Sequence, residues 1–538
     1  MSRDPRHLAQ WVGPLAVAST FLHFWVRNLA DPDLWGHLTW GRSMLRDWSL
    51  TATDTFSYTA VGRPFFDHEW LADVIMAGTF DTAGTYGLIV LKLGLGVLMV
   101  ACMLDAARTM ARDTDLDGRV HPLMTAAGMI LSLAAIAPGA TFRPQLFTMA
   151  FMAATWALLA RADQRLATTG PRARISWELA CLPFLLIFWA NVHGGFLVGL
   201  GLIGLFAASV VWRAWQRRPG APDLRETGLV VAVAALAAVA PLLNPYGVEM
   251  YTYLLGTLHL HDGITEWAPV PLLGTAFVRF KLLFAATFAL ALLWWQSERD
   301  PDRRQRLAWR LGFVALAALY ALRHQRHTVL FAIVAAPIVV VAGERLRRAL
   351  LARRPALAPR AAVMTAITLG ILVVPAAQLA GITTDWLRHG ATIRYSRLSF
   401  PIDALTFIRQ HDLRGNLALP VHWGSFTIHR LGDRVRVFID GRFEAVYPRQ
   451  VLDDHFAFIQ GRDGWERLLD DYPTDLVLVQ RTHGSHERMF KRSDFVYVYS
   501  DRASLLFVRR NETNAAALDR LTRMARRPPL PTEASVFP

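Results

Sequence analysis

The chain has 538 residues, 53% of them apolar and only 19% charged, with a mean hydropathy of +0.27. That composition excludes a disordered chain and argues against an ordinary soluble enzyme. Lys and Arg outnumber Asp and Glu by 57 to 43, a surplus of +14 that fits a membrane protein or a nucleic-acid binder until the charges are located.

The basic start Met1 to His7 leads into an apolar run that no small-residue cleavage site closes, so it reads as a retained first span. Runs suited to crossing a hydrocarbon core follow, giving eleven expected spans at residues 11–28, 86–107, 120–138, 146–159, 177–190, 195–212, 228–243, 280–295, 311–321, 329–342 and 361–379. Cys102 and Cys181 both fall in such runs, which supports neither a disulfide framework nor a thiolate cluster.

Arginine placement tests this scheme, because short inner loops carry the basic residues. With the amino terminus inside, segments 2–10, 108–119, 161–176, 213–225, 297–310 and 344–360 are all Arg-rich, while outer segments 191–194 and 244–276 contain no Lys or Arg. The surplus therefore orients helices against anionic headgroups, and nucleic acid is not expected as a partner. An odd number of spans puts the carboxyl terminus outside, in a periplasm, with the protein multi-pass in a bacterial inner membrane.

Residues 1–380 read as a transmembrane domain, with 30–85 as its first outer loop. That loop carries two amphipathic stretches, 34–48 and 70–80, suited to the membrane interface. From 381 to 538 the chain reads as a soluble outer α/β domain with a largely parallel sheet. Its expected strands are 416–421, 436–440, 474–480, 495–500 and 504–509, and its expected helices 402–411, 449–459 and 463–471. The Pro-rich tail 526–538 reads as loose.

Ionisable groups gather on the outer side, where holding them near a span is costly unless they serve a site. Asp31, Asp33 and His37 follow the first span, and Asp67, His68 and Glu69 come later in the same loop. Arg143 and His193 lie in short outer loops, as do Arg323, His324, Arg326 and His327; His259 and His261 fall on the same side. Arginines in that position suit a phosphate or diphosphate, which guanidinium groups bind in a bidentate, permanently charged way, with lipid snorkelling as the bland alternative. Asp31 and Asp33 also suit helix capping. Glu266 and Trp267 form a candidate acid and sugar-stacking pair, and Asp31, Asp33 and His68 a candidate site for a divalent cation such as Mg or Mn.

The string Asp31-Pro32-Asp33-Leu34-Trp35-Gly36-His37 at the end of a first span, a long first outer loop, many further spans and an outer carboxyl-terminal domain together resemble the GT-C superfamily of polyprenyl-phosphate-dependent membrane glycosyltransferases. The first loop looks like that of the oligosaccharyltransferase catalytic subunit. Trp423-Gly424-Ser425-Phe426 is similar to part of that subunit's Trp-rich signature, whose full form Trp-Trp-Asp-Tyr-Gly is absent, and Phe438-Ile439-Asp440-Gly441-Arg442 follows an expected strand.

The resemblance implies a polyprenyl-phosphate-linked sugar donor and a glycan, lipid or protein acceptor. It matches Asp33 to the catalytic carboxylate, with Asp31 assisting. Arg143, Arg323, Arg326 and His327 then hold the donor phosphate, and His37, His68, Glu69, His193 and Glu266 line the pocket. Competing readings are a lipid-linked polysaccharide polymerase or ligase, a transporter, and a non-catalytic assembly protein.

Overall fold

The computed structural model describes residues 5–26, 28–168, 176–218, 221–257, 265–354, 361–390, 392–397 and 399–523. His259, His261 and the tail 526–538 lie outside them. By internal packing the chain divides into two compact units, Met1–Arg27 with Ile89–Ala391, and Asn28–Leu88 with Thr392–Pro538.

Along the chain the first helices are α1 (Pro5–Trp25), α2 (Leu34–Asp47), α3 (Trp70–Arg112), α4 (Pro122–Ile136) and α5 (Gln145–Thr168). There follow α6 (Trp177–Val192), α7 (Phe196–Trp215), α8 (Leu224–Val239) and α9 (Glu249–Thr257). The membrane-type series ends with α10 (Val278–Ser297), α11 (Pro301–Arg323), α12 (Thr328–Arg353) and α13 (Ala361–His389). The last part holds α14 (Ile402–Gln410), β1 (Gly415–Ala418), α15 (Val421–Leu431), β2 (Val435–Val437), α16 (Arg449–Gln460) and α17 (Arg467–Asp470). It closes with β3 (Leu476–Gln480), α18 (Ser485–Met489), β4 (Phe495–Ser500), β5 (Ser504–Arg509) and α19 (Ala515–Arg523).

A helix occupies each of the eleven expected runs. Among the described residues, six segments are long and apolar enough to cross a membrane: Trp70–Arg112, Pro122–Gly139, Phe196–Trp215, Leu224–Leu243, Val278–Ser297 and Gln325–Arg353. The protein is thus a multi-pass membrane protein. α6 is a shorter apolar helix, and α5 and α11 mix apolar turns with charged ones. The expected span 86–107 and the amphipathic stretch 70–80 both fall in α3, which is kinked where Gly84 adopts φ 57°.

In the first unit α12 is central, packed by α4, α5, α10 and α11, and its residues Phe331 to Ala336 are wholly buried. Peripheral helices instead expose apolar side chains such as Val90, Leu236, Leu282 and Leu292, as surfaces solvated by lipid do. Several arginines of the expected inner loops serve structure. Arg213, Arg306 and Arg310 are buried and pair with Asp113 and Asp163 at 2.8 to 3.0 Å, joining α5, α7 and α11 to the end of α3.

In the second unit the five strands run in the order β2-β1-β3-β5-β4. β1 is parallel to β2 and β3, whereas β5 is antiparallel to β3 and β4. The sheet is therefore mixed, not largely parallel: the β4 and β5 stretches are separated by only three residues, too few for a parallel crossover. The segment 28–88 belongs to this unit through backbone bonds. Ala30 donates to the Arg394 carbonyl and Arg394 to the Asn28 carbonyl, each at 2.7 Å, and Tyr58 donates to Val437 at 3.1 Å. α2 packs on α15, with Trp35 set among Tyr395, Phe400 and Phe426, so its apolar side is covered by protein except at Trp48, which is 90% exposed.

Candidate functional site

Within the second unit the two acidic residues after the first apolar run do different work. Asp31 Oδ1 accepts the Asp33 backbone N–H at 3.1 Å and the Asp31 carbonyl accepts from Leu34 at 3.2 Å, a turn that starts α2. Asp33 stands at the N-cap with helical angles and makes no side-chain capping bond. Its carboxylate meets the segment after β2. A Cβ added to Gly441 would lie 2.7 Å from Asp33 Oδ1 and 3.7 Å from Ser425 Oγ, so only glycine leaves this seat open.

Gly441 is held between two buried charges. Arg442 Nε donates to Asp440 Oδ1 at 2.8 Å, and its Nη2 bonds Asp440 Oδ2 at 2.6 Å and also Asp54. The Tyr447 hydroxyl donates to Asp440 Oδ2 at 2.8 Å, and the rings of Trp40, Phe56 and Phe65 surround the guanidinium. Burial, with the Asp440 charge beside it, keeps the Tyr447 phenol protonated far above its ordinary range. Gly424 is needed for a different reason. Its Cα packs so closely on the chain after β2 that a Cβ would meet the Ile439 carbonyl at 2.3 Å. This brings α15, and with it Ser425, against the same loop.

The remaining candidates of this unit lie on α2 and ahead of α3. His37 Nδ1 is 2.7 Å from Asp73 Oδ1, and both are buried. His68 Nε2 is 3.8 Å from Glu69 Oε1, and both are partly exposed. Asp67 is buried, and burial together with the Asp73 charge raises its carboxyl well above the usual range. Sequence reading singled out neither Asp73 nor the Gly441 seat, because both depend on contacts that no local pattern encodes.

In the first unit Arg143 Nη1 donates to both oxygens of Glu266, at 3.0 and 3.1 Å. The Arg326 guanidinium lies 4.6 Å from the ring centre of Trp267, and His324 and His327 pack edge-on to the same ring. Arg323 is exposed. His193 Nδ1 accepts the Gly195 N–H at 2.8 Å, which puts the ring proton on Nε2, and the Thr148 hydroxyl, 2.9 Å away, therefore donates to Nδ1. Lys92 has a signal visible in the sequence, the one ammonium within the expected span 86–107. It is 1% exposed and lies 4.6 Å from the ring centre of Phe142, next in sequence to Arg143.

Among the described residues no three His, Cys, Asp or Glu side chains come together as a metal-holding group. Asp31 spends one oxygen on its own turn.

No protein-family model matches the sequence, and no curated protein matches it at a significant level. Solved structures do. The apo oligosaccharyltransferase of Archaeoglobus fulgidus matches over 93% of this chain and 75% of its own, with a TM-score of 0.52 at 12% identity. The fold is GT-C-like. The AglB oligosaccharyltransferase of the same organism, in complex with an inhibitory peptide and a dolichol-phosphate, matches this GT-C-like chain over 87% and 69% of the respective lengths, with a TM-score of 0.53 at 12% identity. Apo ArnT from Cupriavidus metallidurans matches over 94% and 98%, with a TM-score of 0.52 at 14% identity. At these identities the likeness carries the GT-C-like architecture, and the chemistry has to be argued from the residues.

Proposed function

We propose that the protein is a membrane glycosyltransferase that moves a sugar from a polyprenyl-phosphate or diphosphate donor to an acceptor at the periplasmic face of a bacterial inner membrane. The observation that carries this reading is the Asp33 carboxylate, spared from capping the helix it starts and seated beside Gly441 and Ser425. A carboxylate so placed is suited to take the proton of an acceptor hydroxyl as that oxygen attacks the anomeric carbon with inversion. Asp31 positions it through the turn it braces.

The leaving group is a phosphate, and its developing charge needs cations that stay charged in a dry site. Arg143 and Arg326 are assigned that part, with His327 beside Arg326, and the exposed Arg323 is assigned to the phosphate from the solvent side. The dolichol-phosphate bound by the archaeal AglB supports a lipid phosphate as the donor's chemistry. His37, His68 and Glu69, in the same unit as Asp33, are assigned to the acceptor. Asp31, Asp33 and His68 do not come together as a metal-holding group, so no step above uses a divalent cation, and transfer is expected to persist in EDTA.

The proposal stands or falls on Asp33→Asn, assayed by transfer from a polyprenyl-phosphate sugar in membranes. Loss of transfer with normal folding and membrane insertion is expected, and wild-type transfer would exclude Asp33 as the base.

A further inference from the structure

The short turn Thr265–Trp267 engages two of the arginines that the proposed function gives to the donor phosphate. Glu266 occupies Arg143 through both carboxylate oxygens, while the next residue, Trp267, lies under the Arg326 guanidinium. The backbone behind the turn is pinned to the junction between α11 and α12. His324 Nδ1 bonds the Trp267 carbonyl at 2.9 Å, and Gln325 donates to the carbonyls of Ala268 and Pro269, each at 3.1 Å. Val270 donates to the Leu322 carbonyl at 3.0 Å. None of these bonds uses the Glu266 side chain, so its carboxylate can leave Arg143 by side-chain rotation without unpinning the turn. The pair is also unequal in exposure, 19% for the Arg143 side chain and 48% for that of Glu266. Arginine accepts carboxylate and phosphate oxygens with the same donor geometry, so Glu266 sits where phosphate oxygens would.

We infer that Glu266 is a displaceable stand-in for the donor's phosphate. It holds Arg143 extended and paired before the donor arrives, then yields it to the phosphate and turns to solvent, while Trp267 keeps Arg326 in place. This rests on the proposed function of Arg143. A diphosphate, or the phosphate monoester left when the sugar departs, carries more charge and more acceptor oxygens than a carboxylate, which favours the exchange; a phosphodiester matches the carboxylate oxygen for oxygen. An ion pair this exposed is weak, so the competition it offers is small: removing the Glu266 charge is worth about three- to fivefold in donor affinity.

The test is binding of radiolabelled dolichyl phosphate to the full-length protein in phosphatidylcholine nanodiscs. Glu266→Gln, an isosteric change that spares the pinned backbone, is expected to tighten binding about three- to fivefold, and Arg143→Ala to weaken it. In the double variant the gain should vanish, because Glu266 then has nothing to release. Glu266→Asp, which keeps the charge on a shorter stem, should give intermediate affinity. Equal or weaker binding by Glu266→Gln, alongside weakened binding by Arg143→Ala, overturns the displacement and leaves the phosphate role of Arg143 intact. No change in either variant overturns both. Competition by inorganic phosphate assigns the seat to phosphate groups in general, its absence to the lipid-borne headgroup, and both sustain the exchange.

Discussion

Arg442 and Arg143 are both bonded to carboxylates, yet the two environments are built for different ends. Around Arg442 the partners Asp54 and Asp440 are wholly buried, a tyrosine hydroxyl satisfies a remaining acceptor, and aromatic rings close the shell. Around Arg143 the paired carboxylate is Glu266, with about half its side chain exposed. A buried charge whose partners cannot leave fixes structure. A charge whose partner can leave remains available to a ligand. Pairing alone therefore does not separate a structural arginine from a functional one; the exposure of the counter-ion does.

The largest effect should come from opening the closed network. Arg442→Ala leaves two buried carboxylates without their cation and should cost about 3 to 5 kcal/mol of stability, read as a fall in thermal unfolding temperature. An unchanged unfolding temperature would erase the contrast with Arg143. Asp33→Asn should leave that temperature alone while lowering transfer by about 10²- to 10⁴-fold.

Gly441→Ala sits between these two. Its methyl group must push the Asp33 carboxylate aside, and a displacement of that size is expected to cost about 10²-fold in transfer with the fold retained. If activity survives, Gly441 does not shape the seat.

Acid offers a milder probe of buried groups. His455 is 1% exposed, and burial, with His483 and His422 nearby, lowers its pKa from 6.5 to about 3. The unfolded chain binds the proton that the folded one refuses, so the contribution of His455 is complete above about pH 6.5 and is lost as the pH falls toward 3. Denaturant titrations should show about 2 kcal/mol less stability at pH 5 than at pH 6.5, and His455→Gln should flatten that slope. The smallest effect is the few-fold gain in lipid-phosphate affinity for Glu266→Gln, at the open pair.

Much of the architecture was legible in the residues. Hydropathy located a helix in each apolar run, and short β-type runs delimited β4 and β5 at residues 495–500 and 504–509, as observed. The resemblance drawn from the residues after the first span is matched by the structural likeness to two GT-C glycosyltransferases. α15 was not legible. It begins on Val421 and carries Gly424 in its second turn, so its helix propensity is poor, and it persists because that glycine lets it lie on the Ile439 carbonyl. The mixed sheet was legible in principle, since the short link between β4 and β5 admits only an antiparallel pair.

The candidate site divides in the same way. Asp33, Arg143 and the 323–327 cluster stand out by position, because each is a charge at the edge of an apolar run. Lys92 stands out as a charge inside one. Gly441, Ser425 and Asp73 have no such mark, since their significance arises only from which distant segment they meet.

One feature of the second unit bears on how the protein is made. Asp54 and Arg442 are bonded across 388 residues of chain, so the unit that carries Asp33 stays incomplete until that far segment has been synthesised. At about 5 to 20 residues per second, that is a wait of roughly 20 to 80 s after Asp54 is synthesised. During that interval the nascent chain has its first acidic loop but not the Gly441 seat. Premature termination before β2 therefore yields a chain with no assembled seat for its proposed base.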